Sequence, residues 1–227
     1  MRVLHFLAAS AVGALPLVKP VVADDCKTVT PLSDVDLTEF LRATWYTQQQ
    51  QVVKFQSTDD LYCVAATYAL ENRTVPFFDG LVISVYNYAT EDEVNGEPQN
   101  TADGMVLCAR LEDANITGKL AVSPCWLPNI AAAPYWIVAI HADDDGKYDW
   151  AVISGGQPTE LQDDGGCTTS TGSYAGGLWI FSRDPVASNQ TLADAQAAAV
   201  DLGISLAELN DVPQDGCTYD GALIKPN

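Results

Sequence analysis

Two histidines (His5 and His141), six cysteines and 30 Asp+Glu are the residues in this chain that could do chemistry. A hydrolytic triad needs a histidine beside a nucleophile, commonly presented on a Gly-x-Ser-x-Gly turn. His141 sits instead in Ile140-His141-Ala142-Asp143, and the chain contains no Gly-x-Ser-x-Gly. Asp143-Asp144-Asp145-Gly146-Lys147 suggests calcium ligation, but the EF-hand template would then put His141 at its first position and Val152 at its twelfth, where carboxylates are required. Zinc is disfavoured because no two cysteines have the Cys-x-x-Cys spacing. The carboxylates are scattered over turn-like segments, the pattern of a solvated acidic surface. These readings predict no catalytic residue, no metal and no cofactor.

Eleven Lys+Arg against 30 Asp+Glu leave a formal net charge of −19 and an isoelectric point near 4.1. Such a field repels phosphate backbones, so nucleic acid is excluded as a partner. A length of 227 residues with 48% hydrophobic content suits one globular domain with a sizeable core.

The amino terminus carries an address. Met1-Arg2 precedes an apolar run from Val3 to Val18, and Val21 and Ala23 stand three and one residues before Asp24. The run is shorter than the roughly 20 residues of a membrane span and fits signal-peptidase cleavage. Residues 1–23 are therefore expected to be a secretory signal peptide and 24–227 a single domain, secreted and extracellular, with no transmembrane segment. All six cysteines (Cys26, Cys63, Cys108, Cys125, Cys167 and Cys217) follow the cleavage point, and an even count in an exported chain favours three disulfides, with 15 connectivities open. Sequons at Asn72, Asn115 and Asn189 predict N-glycosylation.

Between Trp45 and Trp179, short β-branched and aromatic runs alternate with Asn, Asp, Gly and Pro clusters, an all-β signature. Strands are predicted over 43–55, 62–70, 80–88, 104–111, 118–123, 135–141, 148–154 and 178–182. Eight in succession suit an antiparallel up-and-down meander, although periodicity does not separate a barrel from a sandwich. One helix is predicted over 192–202, with Asn189 able to cap it, Leu192, Ala195, Ala199 and Leu202 on one face, and Gly203 ending it. The glycine-rich segment 155–177 reads as a long exposed loop tethered by Cys167.

Several segments carry a resemblance. Pro134-Tyr135-Trp136-Ile137-Val138-Ala139-Ile140, Tyr148-Asp149-Trp150-Ala151-Val152-Ile153-Ser154-Gly155 and Gly177-Leu178-Trp179-Ile180-Phe181-Ser182-Arg183-Asp184-Pro185 resemble the lipocalin family, in particular its apolipoprotein D and bacterial outer-membrane branch. Thr44-Trp45-Tyr46 is similar to the family's Gly-x-Trp motif, with Ala43 in place of the glycine, and 61–70 is similar to its second strand. The resemblance implies an eight-stranded antiparallel barrel, or calyx, with one carboxy-terminal α-helix packed outside. It implies a structural pair in which Arg183 lies across Trp45 at the closed end. It also implies Cys63–Cys217 and Cys26–Cys167 bridges, which leave Cys108 and Cys125 to close the hairpin between them.

Tyr68, Tyr135 and Trp179 match ligand-facing positions of that branch, and Trp126 precedes an open-end loop. The resulting expectation is a secreted lipocalin, monomeric or a weak homodimer. Its calyx would bind and transport a small hydrophobic ligand: a fatty acid, sterol, isoprenoid or pigment. Two alternatives are a lipocalin-fold enzyme acting on a lipid or carotenoid through cavity carboxylates, and a protein-binding module using the 155–177 loop.

Overall fold

The computed structural model describes residues 25–100, 105–170 and 176–227. The signal-peptide segment 1–23 and Gly104, the expected start of the fourth strand, lie outside the described residues. Eight strands follow one another: β1 (Trp45–Gln51), β2 (Tyr62–Ala69), β3 (Val82–Thr90), β4 (Leu107–Leu111), β5 (Lys119–Pro124), β6 (Ala133–Ala142), β7 (Tyr148–Ser154) and β8 (Leu178–Ser182). Each pairs antiparallel with the next, and β8 returns to pair with β1, closing the barrel and leaving neither strand as a free edge. The predicted first strand, 43–55, ends early at Gln51 because Val53 and Gln56 bond to each other in a tight turn.

Alternation along the strands sorts side chains between two clusters. Phe181, Ile153, Ile137, Leu120, Ala109, Ile83 and Trp45 fill the barrel core. Residues of opposite parity, Leu178, Ile180, Val152 and Val138, face outward and are covered by Ala195 and Ala199 of α2 (Asn189–Asp201). Two alanines on the contact face let the helix lie close to the wall. The α2 amino terminus is capped by Ser188, whose hydroxyl accepts from the Thr191 amide, and not by Asn189, which is the first helical residue. The extended backbone of Ser188 leaves its side chain free to reach that amide.

A second helix absent from the sequence reading, α1 (Leu37–Phe40), crosses the end of the barrel where β1 begins. Asp36 caps it, accepting from the amides of Thr38 and Glu39. The connections β2–β3, β4–β5 and β6–β7 share this end, and the other four lie at the opposite, open end.

Segment 155–177 is not a freely exposed loop. Strands Glu160–Leu161 and Cys167–Thr168 form a small hairpin, and Cys167, Thr168 and Thr169 are buried. Backbone bonds run from the Cys167 amide to Gly203 and from the Ser205 amide back to Cys167, while the Thr169 hydroxyl donates to Gln51. Residues 171–175 lie outside the described residues.

All three disulfides are closed: Cys26–Cys167, Cys63–Cys217 and Cys108–Cys125. Cys63 has a φ of 51° at an irregularity in the β2–β3 register. Its bridge pins the carboxy-terminal segment across the outer wall, where Tyr219 packs on Tyr46 and Tyr88. Farther along, the Thr67 hydroxyl donates to the Leu223 carbonyl. Short strand Leu209–Asp211 extends the sheet beside β1. The Cys63–Cys217 bridge spans 154 residues, so replacing both cysteines with alanine should lower unfolding free energy by about 4 kcal/mol in urea titrations. The segment after Leu209 should become the first site of limited proteolysis.

Candidate ligand-binding site

The site begins with a sealed floor. Trp45 is fully buried and donates its indole N–H to the Phe40 carbonyl of α1 at 3.0 Å. The Arg183 guanidinium lies 3.5 Å from the Trp45 ring centroid. Arg183 follows β8 with the inward parity of Trp179 and Phe181, which brings it beneath the ring. It donates to the carbonyls of Glu39, Phe40, Ala43, Thr44 and Tyr148, tying the crossing segment to the last two strands. Burial pulls its pKa down to about 9, assisted by the nearby Arg42 cation and opposed by Glu39. It remains charged at neutral pH.

Aromatic residues continue upward from the floor. Phe40 packs on Trp45 and on Tyr68, each with ring centroids 5.3 Å apart. The Tyr68 and Tyr135 hydroxyls meet at 2.6 Å. Tyr135 packs in turn on Trp179 with centroids 6.3 Å apart. Tyr68 is buried, while Tyr135 and Trp179 are inward yet partly exposed, as are Leu107 and Val122. Gly177 makes the Trp179 position possible: its φ is +110°, and a Cβ there would fall 2.2 Å from the indole. Trp126 lies outside this cluster. Its side chain is 67% exposed and borders a shallow depression with Arg73, Met105, Val106 and Cys125.

Gln50 is a site residue the sequence reading missed. A register shift between Thr47 and Gln49 turns Gln50 inward opposite Trp179. It is fully buried and donates Nε2–H to Gln56 at 2.7 Å, and its Oε1 has no hydrogen-bond donor. Arg110 was missed as well. Fully buried on the outer wall, it donates to the carbonyls of Cys108, Ser123, Pro124 and Leu127 and holds the loop that presents Trp126.

The candidate chemical residues go elsewhere. His141 stacks on Trp150 at the barrel exterior, with Nδ1 2.7 Å from an Asp149 carboxylate oxygen. Asp143 accepts from the amides of Asp145 and Lys147 and so shapes the β6–β7 turn. Among the described residues, no inward strand position holds Asp, Glu, Lys or His. The carboxylates required for proton transfer in the cavity are therefore absent from those positions.

An up-and-down barrel closed by β1 and β8, plugged at one end and flanked by one external helix, is the lipocalin fold. Solved structures show the same architecture at low identity. Apocrustacyanin C2 superposes with a TM-score of 0.53 at 13% identity, over 86% of this chain and 96% of that one. Lobster apocrustacyanin A1 gives 0.51 at 15%, over 86% and 96%. Insecticyanin from the tobacco hornworm Manduca sexta gives 0.53 at 15%, over 84% and 87%. These values establish the fold and leave the apolipoprotein D branch unsupported. No protein-family model matches the chain, and no curated protein does.

Burial raises Tyr68 and Tyr135 above the ordinary tyrosine value of 10.0. Above pH 10 the unfolded chain releases these protons and the folded chain retains them, so ionisation favours unfolding. Stability should accordingly lose this contribution as pH rises past 10. Absorbance at 295 nm should show that Tyr68 and Tyr135 ionise only with unfolding; free titration of all tyrosines near 10 would contradict their burial.

Proposed function

We propose that this protein is a secreted carrier whose barrel holds one small hydrophobic molecule without transforming it. The observation that carries the reading is the inward Tyr68–Tyr135–Trp179 layer, partly exposed above the Trp45–Arg183 floor. An apolar wall with a few neutral hydroxyls gains affinity chiefly by area burial, at about 25 cal/mol per Å² before association costs. Fatty acids, sterols, isoprenoids and pigments all satisfy that requirement.

Export rests on the signal-like segment 1–23 and is supported by three closed disulfides, which persist in oxidising compartments. The sequon asparagines Asn72, Asn115 and Asn189 are all exposed. Asn115 and Asn189 belong to connections at the plugged end, where glycans would leave the mouth clear, whereas Asn72 adjoins Arg73, which borders the same depression as Trp126. The protein-binding alternative loses its free loop, because 155–170 folds back on the wall.

Native mass spectrometry of protein from its own source should reveal one small molecule per chain, recoverable by organic extraction. Bound probes should quench tryptophan fluorescence, and Trp179→Ala should weaken binding by about tenfold through loss of a desolvated aromatic contact. An empty barrel that also ignores fatty-acid and retinoid probes would overturn the carrier reading.

A further inference from the structure

The Tyr68–Tyr135 pair holds more hydrogen-bonding capacity than it uses. Two phenols carry two donor protons. Their mutual bond at 2.6 Å consumes one proton and is the one hydrogen bond that either hydroxyl makes among the described residues. Whichever tyrosine accepts retains a proton without an acceptor. It does so on the inner wall, beside the partly exposed Trp179 ring. A buried donor left unmatched is costly, whereas supplying an acceptor recovers much of that cost.

The charge environment restricts the group that can supply it. The Arg183 guanidinium lies under Trp45 with all three of its nitrogens donating to backbone carbonyls. No other cation falls on an inward strand position among the described residues. Gln50 Oε1, an inward polar atom with no hydrogen-bond donor, is itself an acceptor and repulsive to a carboxylate. An anion drawn into this wall would lose its hydration without gaining a counter-ion.

We propose that the Tyr68–Tyr135 pair is a donor site for one uncharged oxygen of the ligand, a carbonyl, hydroxyl or ether. The calyx thereby selects neutral oxygenated hydrophobes over fatty-acid anions. This rests on the carrier reading above and narrows it. It has a distinctive consequence: either tyrosine alone still offers a free proton, because removing one hydroxyl releases the other from the pair. The donor disappears only when both are replaced.

Tryptophan-quenching titrations at neutral pH would compare four probes with matched tails: retinal, retinol, retinoic acid and the hydrocarbon anhydroretinol. Retinal and retinol should bind about tenfold more tightly than anhydroretinol, the worth of one buried hydrogen bond. Retinoic acid should bind more weakly than retinol. Tyr68→Phe and Tyr135→Phe should each keep the preference for retinal over anhydroretinol, and the double variant should abolish it. Retinoic acid as the tightest probe, or a preference that survives the double substitution, would overturn the proposal. Equal binding of all four to the unaltered protein overturns the selectivity and leaves carriage standing. Failure of every probe, the hydrocarbon included, overturns carriage itself.

Discussion

The barrel depends on one interaction, the buried Arg183 guanidinium against the Trp45 ring. A cation in the interior is tolerable only when its donors are satisfied and its charge is spread. Here the aromatic face takes one side of the guanidinium and five backbone carbonyls take its edges. Those carbonyls belong to α1, to the residues just before β1 and to the start of β7. The interaction thus joins the crossing segment to the seam between first and last strands. Closing a barrel requires that seam to be held, and the plug holds it while excluding water from one end. Inward of the plug the described strand positions carry no charged side chain, and the floor and the site form one continuous aromatic stack.

Arg110, on the outer wall, follows the principle in part, its Nε–H being left without a hydrogen-bond partner. Its Nη groups donate to four carbonyls with no carboxylate partner, and burial lowers its pKa. With the Cys108–Cys125 bridge it fastens the 124–127 loop to β4. A chain with a formal charge of −19 thus places two of its few arginines where carbonyl dipoles, not carboxylates, balance them. The acidic side chains are left to the surface.

Much of this architecture could be read from residue patterns, and the failures have physical causes. The strands 148–154 and 178–182 match their predicted limits, because their apolar runs are bounded by Gly and Asp turns. Parity along 178–183 correctly separates Trp179 and Arg183 from the outward Leu178 and Ile180. The same parity rule fails in β1: counting from Trp45 makes Gln49 inward, but the bulge after Thr47 advances the register and turns Gln50 inward instead. A bulge inserts one residue without a compositional mark, so a run of four glutamines gives no warning of it. The folding-back of 155–170 was invisible for a related reason. It is held by backbone bonds to Gly203 and Ser205 and by a Thr169–Gln51 contact, all to residues remote in sequence. Tyr68 and Tyr135 were singled out, but their mutual hydroxyl bond depends on a register across several strands that no local pattern encodes.

Exposed large apolar side chains occur on connections at both ends of the barrel. Each of the four open-end connections carries an exposed large apolar side chain: Phe55, Met105, Trp126 with Ile130, and Leu161. The β2–β3 connection on the other side also exposes Leu70, Phe77 and Leu81, so exposed apolar surface is not confined to the mouth. An apolar rim favours association between copies, a tendency that grows with contiguous area. Like charge opposes it: a strongly acidic exterior makes every close approach of two chains repulsive over about a Debye length. An apolar mouth is therefore compatible with a dissolved protein only if the charge is large and kept off the inner wall. The barrel has that arrangement, with neutral hydroxyls and carboxamides at the described inward strand positions and carboxylates outside.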